Sequence, residues 1–228
     1  MAKQISVIIV AAGSSSRMGL STNKIFLDLC GISVIERTIS AFTDISEIFE
    51  IILVTKKEFF EDFNNIIKKY TLKIKLVEGG SSREESTFNG LLKVSDEANF
   101  VICHDGARPL VSKQNILNVI NELDSYKAVI TGVKTKDTMK FISSDFEVVS
   151  TPDRRSLYNI QTPQAFEKEV IIDGYKRYFE ECGFVTDDSS VVEKLNVRVK
   201  LVEGEYSNIK ITTIEDIYYA RLLLERGI

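Results

Sequence analysis

The residues best suited to handling phosphate lie in one stretch near the start of the chain, Ala11-Ala12-Gly13-Ser14-Ser15-Ser16-Arg17-Met18-Gly19, closed by Asn23-Lys24. Its side chains are nearly all small, so the backbone can lie against a ligand and aim several N–H groups at one anion. Arg17 and Lys24 add a flat forked donor and a compact ammonium, both charged at neutral pH, a pair suited to different oxygens of a polyphosphate. The stretch fits neither G-x-x-x-x-G-K-[ST] nor G-x-G-x-x-G. On its own it is compatible with a polyphosphate loop or with a plain turn after a strand.

Further candidates follow along the chain. Gly79-Gly80-Ser81-Ser82-Arg83 is a second small-residue loop before a helix, either a turn with a cap or a second ligand loop. Asp105 ends an apolar run at Phe100–His104 and is followed by small residues and Arg108. A carboxylate there can face a metal–phosphate group or make an Asx turn. Lys210 stands between Asn208 and two threonines, where solvated surface is the ordinary reading for a lysine. No nucleophile-and-base pair is visible: there is one histidine, no G-x-S-x-G, and no serine with a histidine set up as its base. His104 neighbours Asp105 on a strand, points to the opposite face, and reads as a packing residue.

These residues need elements to carry them. Ile5 to Val10 is short, β-branched and apolar, a buried strand. Val34 to Phe42 and Glu58 to Tyr70 carry apolar residues at helical spacing, and Glu50 to Thr55 and Ile74 to Leu76 read as strands. A helix runs through Leu91 and Leu92, another from Ile116 to Leu123, and a strand from Ala128 to Val133. This alternation predicts an α/β, Rossmann-like doubly wound, mostly parallel sheet. Thr138 to Ile142 and Phe146 to Val149 flank a turn and predict a protruding β-hairpin too small for a core of its own, for which a second subunit is the economical support. A short helix begins at Thr186-Asp187-Asp188, Arg198 to Val202 is a strand, and Thr212-x-x-Glu215 reads as the capping box of a last helix reaching Glu225. Pro109, Pro152 and Pro163 are each placed in loops.

At 228 residues the chain is long enough for one sizeable core, and we expect one domain over 1–228 with 135–155 as an inserted arm. A net charge of −4 and a pI near 5.3 argue against a general nucleic-acid binder. No apolar run approaches membrane-spanning length and no signal-peptide layout is visible, so no membrane partner and a cytoplasmic location are expected. Cys30, Cys103 and Cys182 suggest neither a disulfide framework nor a zinc site.

Taken together, A-A-G-x-x-x-R-M-G with its following Lys24, His104-Asp105-Gly106-Ala107-Arg108-Pro109, Asp137-Thr138-Met139-Lys140, Gln161-Thr162-Pro163-Gln164, Thr186-Asp187-Asp188 and Asn208-Ile209-Lys210-Ile211-Thr212 resemble, in order, the 2-C-methyl-D-erythritol 4-phosphate cytidylyltransferase family. The resemblance implies transfer of CMP from CTP to methylerythritol phosphate with release of pyrophosphate and use of Mg2+. It implies that Arg17, Lys24 and Lys210 are catalytic, and that Ala11, Ala12, Gly13, Ser14, Gly80, Ser81, Ser86, Asp105 and Gly106 hold the nucleotide. Arg108, Thr138, Arg154, Thr162, Thr186 and Lys210 would surround the polyol phosphate, with Asp105 near the metal. It also implies a homodimer in which the 135–155 arm embraces the partner and delivers Thr138 and Arg154. Two features depart from the family pattern: Ser14-Ser15-Ser16 where glycines are common, and Asn23 where proline precedes the lysine. The alternatives are a ribitol-5-phosphate cytidylyltransferase, toward which Gly204-Glu205-Tyr206-Ser207-Asn208 leans, and a non-catalytic nucleotide-binding sensor. Lys24→Ala should lower turnover by orders of magnitude and leave thermal unfolding unchanged, because a loop lysine contributes little to stability. Steady-state rates alongside a melting curve check this.

Overall fold

The computed structural model describes residues 3–13, 23–181 and 183–227. Strand β1 (Ile5–Val10) leads to the small-residue loop, and Lys24–Phe26 forms a 3-10 turn beyond it. A two-residue pair, β2 (Asp28–Leu29) and β3 (Ile32–Ser33), turns through Cys30 and Gly31, both at positive φ. Then come α1 (Val34–Thr43), β4 (Ile48–Thr55), α2 (Phe60–Ile67), β5 (Lys73–Glu78), α3 (Arg83–Leu91), β6 (Phe100–Asp105), α4 (Lys113–Glu122) and β7 (Ala128–Lys134). The hairpin β8 (Phe141–Ile142) and β9 (Val148–Ser150) follows, then β10 (Tyr158–Glu167), α5 (Lys168–Glu181), α6 (Asp188–Glu193), β11 (Val199–Glu203) and α7 (Ile214–Glu225).

Seven strands form one sheet in the order β11-β7-β10-β6-β1-β4-β5, with β10 antiparallel to both neighbours and every other pairing parallel. Alternation along the strands divides the core in two. Ile5, Val7, Ile9, Ile51, Leu53 and Ile102 face α1, α2 and α4, whereas Ile8, Ile52, Val54, Val101 and Cys103 face α3, α5 and α6. Both faces of the central strands are therefore apolar, as expected where helices cover each side. A smaller cluster of Leu29, Val34, Ile211, Ile217 and Ala220 seats α7 beside β2. All the parallel strands end on one edge, which collects the loops after β1, β4, β5, β6, β7 and β11.

The doubly wound, mostly parallel sheet is as expected, and two local readings need correction. Pro163 is not in a loop: it lies within β10, in the middle of the sheet, where the register breaks between Gln161 and Gln164. Proline lacks the N–H that a ladder needs, and the bulge removes that requirement at this point. The last helix is capped at Thr213, whose N–H donates to Asp216 (2.8 Å), so Asp216 rather than Glu215 closes the cap. The short helix expected at Thr186-Asp187-Asp188 is present, with Asp187 as its N-cap accepting from Ser190 N–H (3.1 Å). The hairpin is present, with Phe141, Phe146, Val148 and Val149 all exposed and Phe146 at 91%.

Helix α3 lies tight on the sheet at Gly90, where an added Cβ would come within 2.8 Å of Ile8 Cγ2 and 2.9 Å of Val54 Cγ2. Alanine there gains about 1 kcal/mol of helix propensity but overpacks a filled core, which costs about 1–3 kcal/mol. Overpacking should win. Gly90→Ala is expected to lower unfolding stability in urea by about 1 kcal/mol, against the direction of its propensity.

Candidate active site

The loop after β1 and the loop after β5 face each other across the sheet edge. Gly79 lets them approach, since a Cβ there would come within 2.6 Å of Ala12 Cβ. The second loop is organised from its own helix. Ser86 Oγ accepts from Gly80 N–H (3.0 Å) and donates to the Ser82 carbonyl (2.7 Å), while Ser82 caps α3 by accepting from Glu85 N–H (3.1 Å). Asn23 joins the two ends of the first loop: its amide donates to the Gly13 carbonyl (3.3 Å) and its oxygen accepts from Ile25 N–H (3.4 Å). The residue in the proline position therefore makes bonds that proline could not.

Asp105, at the end of β6, is 7% exposed and is faced by three cations. Lys210 Nζ lies 3.0 Å and Arg108 Nε 3.2 Å from Oδ2, and Arg83 Nε lies 3.7 Å from Oδ1. Burial alone would raise the Asp105 pKa. Lys210, Arg83 and Arg108 outweigh it and hold the carboxyl well below its usual range. Arg108 is anchored further by donation from Nη1 to the Asn208 carbonyl (2.8 Å), and the Lys210 segment is pinned to the sheet edge by Ile211 N–H donating to the Ala107 carbonyl (2.8 Å).

Behind Asp105 a short relay fixes the geometry. Asp105 N–H donates to Thr162 Oγ (3.0 Å), which pairs with His104 Nδ1 (3.0 Å), and His104 Nε2 pairs with the Arg108 carbonyl (3.1 Å). A carbonyl can only accept, so Nε2 carries the proton and Nδ1 accepts from the Thr162 hydroxyl. This neutral form suits a ring that is 1% exposed and set edge-on to Phe42. Burial pushes the His104 pKa down to about 4.

Two adjoining hollows open on this edge, of about 590 and 520 Å3. The larger is lined by Ala11, Ala12, Gly13, Lys24, Lys56, Gly80, Ser81 and Ser86, and the smaller by Arg108, Gln161, Thr162, Thr186, Asp187 and Ser190. Arg83, Asp105 and Lys210 line both and form their common wall. Among the described residues the larger hollow carries four cationic side chains, Lys24, Lys56, Arg83 and Lys210, against one carboxylate, Asp105. The field there is positive although the chain is acidic.

Most expected residues thus converge. Lys24 and Lys210 share a hollow, and Arg108, Thr162 and Thr186 meet in the other. Arg17 and Ser14 lie outside the described residues. Gly106 lines neither hollow; a Cβ there would come within 3.0 Å of Ala11 Cβ and of the Val10 carbonyl, so its place is to let β6 close against β1. Thr138 and Arg154 also line neither, being carried on the arm, where Arg154 donates to the Lys136 carbonyl (3.5 Å). Arg83, Lys56 and Asp188 escaped the sequence reading. Arg83 and Asp188 belong to motifs already singled out, but nothing local to either shows that they pair across 105 positions.

A seven-stranded α/β sheet with small-residue loops and converging cations at its carboxyl edge defines a nucleotide-handling enzyme of the nucleotidyltransferase class. The model of the family described as 2-C-methyl-D-erythritol 4-phosphate cytidylyltransferase matches residues 5–226, and the chain belongs to that family. The enzyme of that name from Caldanaerobacter subterraneus subsp. tengcongensis is 45% identical over 225 residues, covering 97% of this chain and 99% of its own. The one from Clostridioides difficile is 45% identical over 222 residues, 96% and 93% of the two chains. Among solved structures, the 4-diphosphocytidyl-2C-methyl-D-erythritol synthase of Anaerococcus prevotii superposes with a TM-score of 0.90 at 44% identity, over 99% and 100% of the chains. The cytidylyltransferase of Thermus thermophilus gives 0.81 at 26%, over 97% and 99%.

Because His104 is neutral in the fold, the unfolded chain binds one more proton between pH about 4 and the ordinary histidine value of 6.5. Stability therefore rises with pH through that window and is lost as pH falls, by about 3 kcal/mol across the whole of it. Urea unfolding from pH 4 to 7 should show this slope, and His104→Gln should flatten it.

Proposed function

We propose that the chain transfers CMP from CTP to 2-C-methyl-D-erythritol 4-phosphate, giving 4-diphosphocytidyl-2-C-methyl-D-erythritol and pyrophosphate. The observation that carries the reading is the common wall of Arg83, Asp105 and Lys210 between two hollows, one strongly cationic and one mixed. The triphosphate lies in the cationic hollow against the Ala11–Gly13 backbone and Lys24, with Arg17 as a further cation for it, and the base and ribose lie by Gly80, Ser81 and Ser86. The polyol phosphate lies in the other, beside Arg108, Thr162 and Thr186.

A phosphate oxygen of the acceptor attacks the α-phosphorus, a new P–O bond forms, and the bond to the β-phosphate breaks to free pyrophosphate. A phosphate monoester is already largely dianionic at neutral pH. No base is needed, and the single histidine is free to remain buried and neutral. What the site must supply is alignment and positive charge as the α-phosphorus becomes five-coordinate. The position of Lys210 at the junction of the hollows supports a role in which it exchanges its contact with Asp105 for the oxygens of that phosphorus.

Among the described residues there is no group of three His, Cys, Asp or Glu able to hold a metal. Asp105 is the residue that would hold Mg2+ carried by the triphosphate, the remaining ligands being phosphate and water oxygens. When bound, the ion neutralises charge on the triphosphate. The exposed apolar tip of the β8–β9 hairpin, with Phe141, Phe146, Val148 and Val149, supports a homodimer in which each arm carries Thr138 and Arg154 to the partner's acceptor hollow. One domain spans the chain, and its acidic charge suits a cytoplasmic enzyme working without nucleic acid. Among the described residues no helix is long and apolar enough to cross a membrane.

Purified protein given CTP and Mg2+ should release pyrophosphate only when methylerythritol phosphate is added. Release with ribitol 5-phosphate alone would move the acceptor to that sugar, and release with neither would leave a binding protein.

A further inference from the structure

Arg83 touches both hollows and is tied to both. It opens α3 directly after the Gly79–Ser82 loop, so its backbone moves with the nucleotide side. Its guanidinium reaches across to Asp188 in the first turn of α6, with Nη1 donating to Oδ1 (2.9 Å) and Nη2 to Oδ2 (2.8 Å), and its Nε faces Asp105. Asp188 is fully buried and also accepts from the Tyr175 hydroxyl (2.5 Å).

From Asp188 the connection returns to Asp105 by a second route. Asp187 accepts from Gln164 Nε2 (2.9 Å), and Ser189 N–H donates to Gln164 Oε1 (3.0 Å), which holds the start of α6 on β10. Two residues earlier on β10, Thr162 accepts from Asp105 N–H. These contacts and the backbone between them close a ring around the wall between the hollows: Asp105, Arg83, Asp188 with its neighbours Asp187 and Ser189, Gln164, Thr162 and Asp105 again. Thr186, at the mouth of the acceptor hollow, hangs from this ring through the α6 cap, its N–H donating to Ser190 Oγ (3.2 Å).

A buried ion pair adds little net stability, because desolvation offsets most of the attraction. What a two-pronged arginine–carboxylate contact supplies is direction, which a lysine at the same place lacks. We infer that Arg83 is a positioning residue for the proposed transfer, coupling the hollows so that a nucleotide seated on the Gly80–Ser82 loop fixes the α6 start and strengthens binding of the polyol phosphate. The inference rests on the cytidylyltransferase reading. By linkage the polyol phosphate strengthens nucleotide binding by the same factor.

The test is calorimetric titration of methylerythritol phosphate into wild type, Arg83→Lys and Asp188→Asn, each with and without a CTP analogue whose α,β bridge is a methylene. Wild type should bind the polyol phosphate about tenfold more tightly with the analogue present, within the usual range of coupling. In Arg83→Lys, which keeps the charge and loses the fork, that ratio should fall to about twofold or less, with affinity for the analogue alone changed far less. Asp188→Asn keeps the shape and the Tyr175 contact and should lose the coupling likewise, which supplies the reading if the lysine variant does not fold. A wild-type ratio preserved in both variants, or equal losses for both ligands at constant ratio, would reduce the pair to scaffold. Wild type that releases no pyrophosphate with methylerythritol phosphate would instead remove the reading beneath it, and active wild type with preserved ratios would remove the role of Arg83 alone.

Discussion

One buried carboxylate organises the site. Asp105 sits at the end of a central strand with Lys210, Arg108 and Arg83 around it, and each of these cations comes from a different part of the chain. Removing its charge would leave three cations facing one another in a poorly solvated cleft, so the carboxylate is what allows them to be held together. The same contacts keep Lys210 at the meeting point of the two hollows. In the proposed transfer, charge held ready in this way needs no rearrangement of solvent.

The sheet makes that cluster possible through one exception to its parallel order. Strand β10 enters antiparallel between β6 and β7, which puts Thr162 beside Asp105 and Gln164 beside α6. A parallel strand in that slot would bring its carboxyl end, rather than its middle, to the edge. The bulge at Thr162–Pro163 frees polar groups from the ladder: Pro163 accepts from the Thr131 hydroxyl (2.8 Å), and the Thr162 carbonyl accepts from Asn208 Nδ2 (2.9 Å). Asn208 in turn holds Arg108 and leads two residues on to Lys210.

Charge is divided unevenly between the hollows, and this division supports the proposed placing of two substrates. The larger hollow has an excess of cations suited to a triphosphate, whereas the smaller balances Arg83, Arg108 and Lys210 against Asp105, Asp187 and Glu193. Such a balanced pocket can take one phosphate together with hydroxyl groups that need acceptors. The overall acidity of the chain leaves this local field intact, since charges beyond about 10 Å are screened at ordinary ionic strength.

Local sequence determined the elements and many of the candidates. β-Branched runs such as Ile5–Val10 and the apolar stripes of α1 and α2 announce themselves by period, and small-residue loops with nearby cations announce a phosphate site. The strand β10 was not legible, because Tyr158–Glu167 is half polar, contains a proline, and becomes a strand only where its two neighbours supply a ladder around a bulge. The same holds for Arg83 and Asp188: each resembles a residue of a helix start, and the buried pair they form exists only once α3 and α6 pack on one face of the sheet. Asn23, a departure by pattern, turned out to join the ends of its loop. Period and residue type thus determined what could handle phosphate, and only the packed sheet decided which charges meet, because a pairing across a hundred residues leaves no trace in the spacing of either partner.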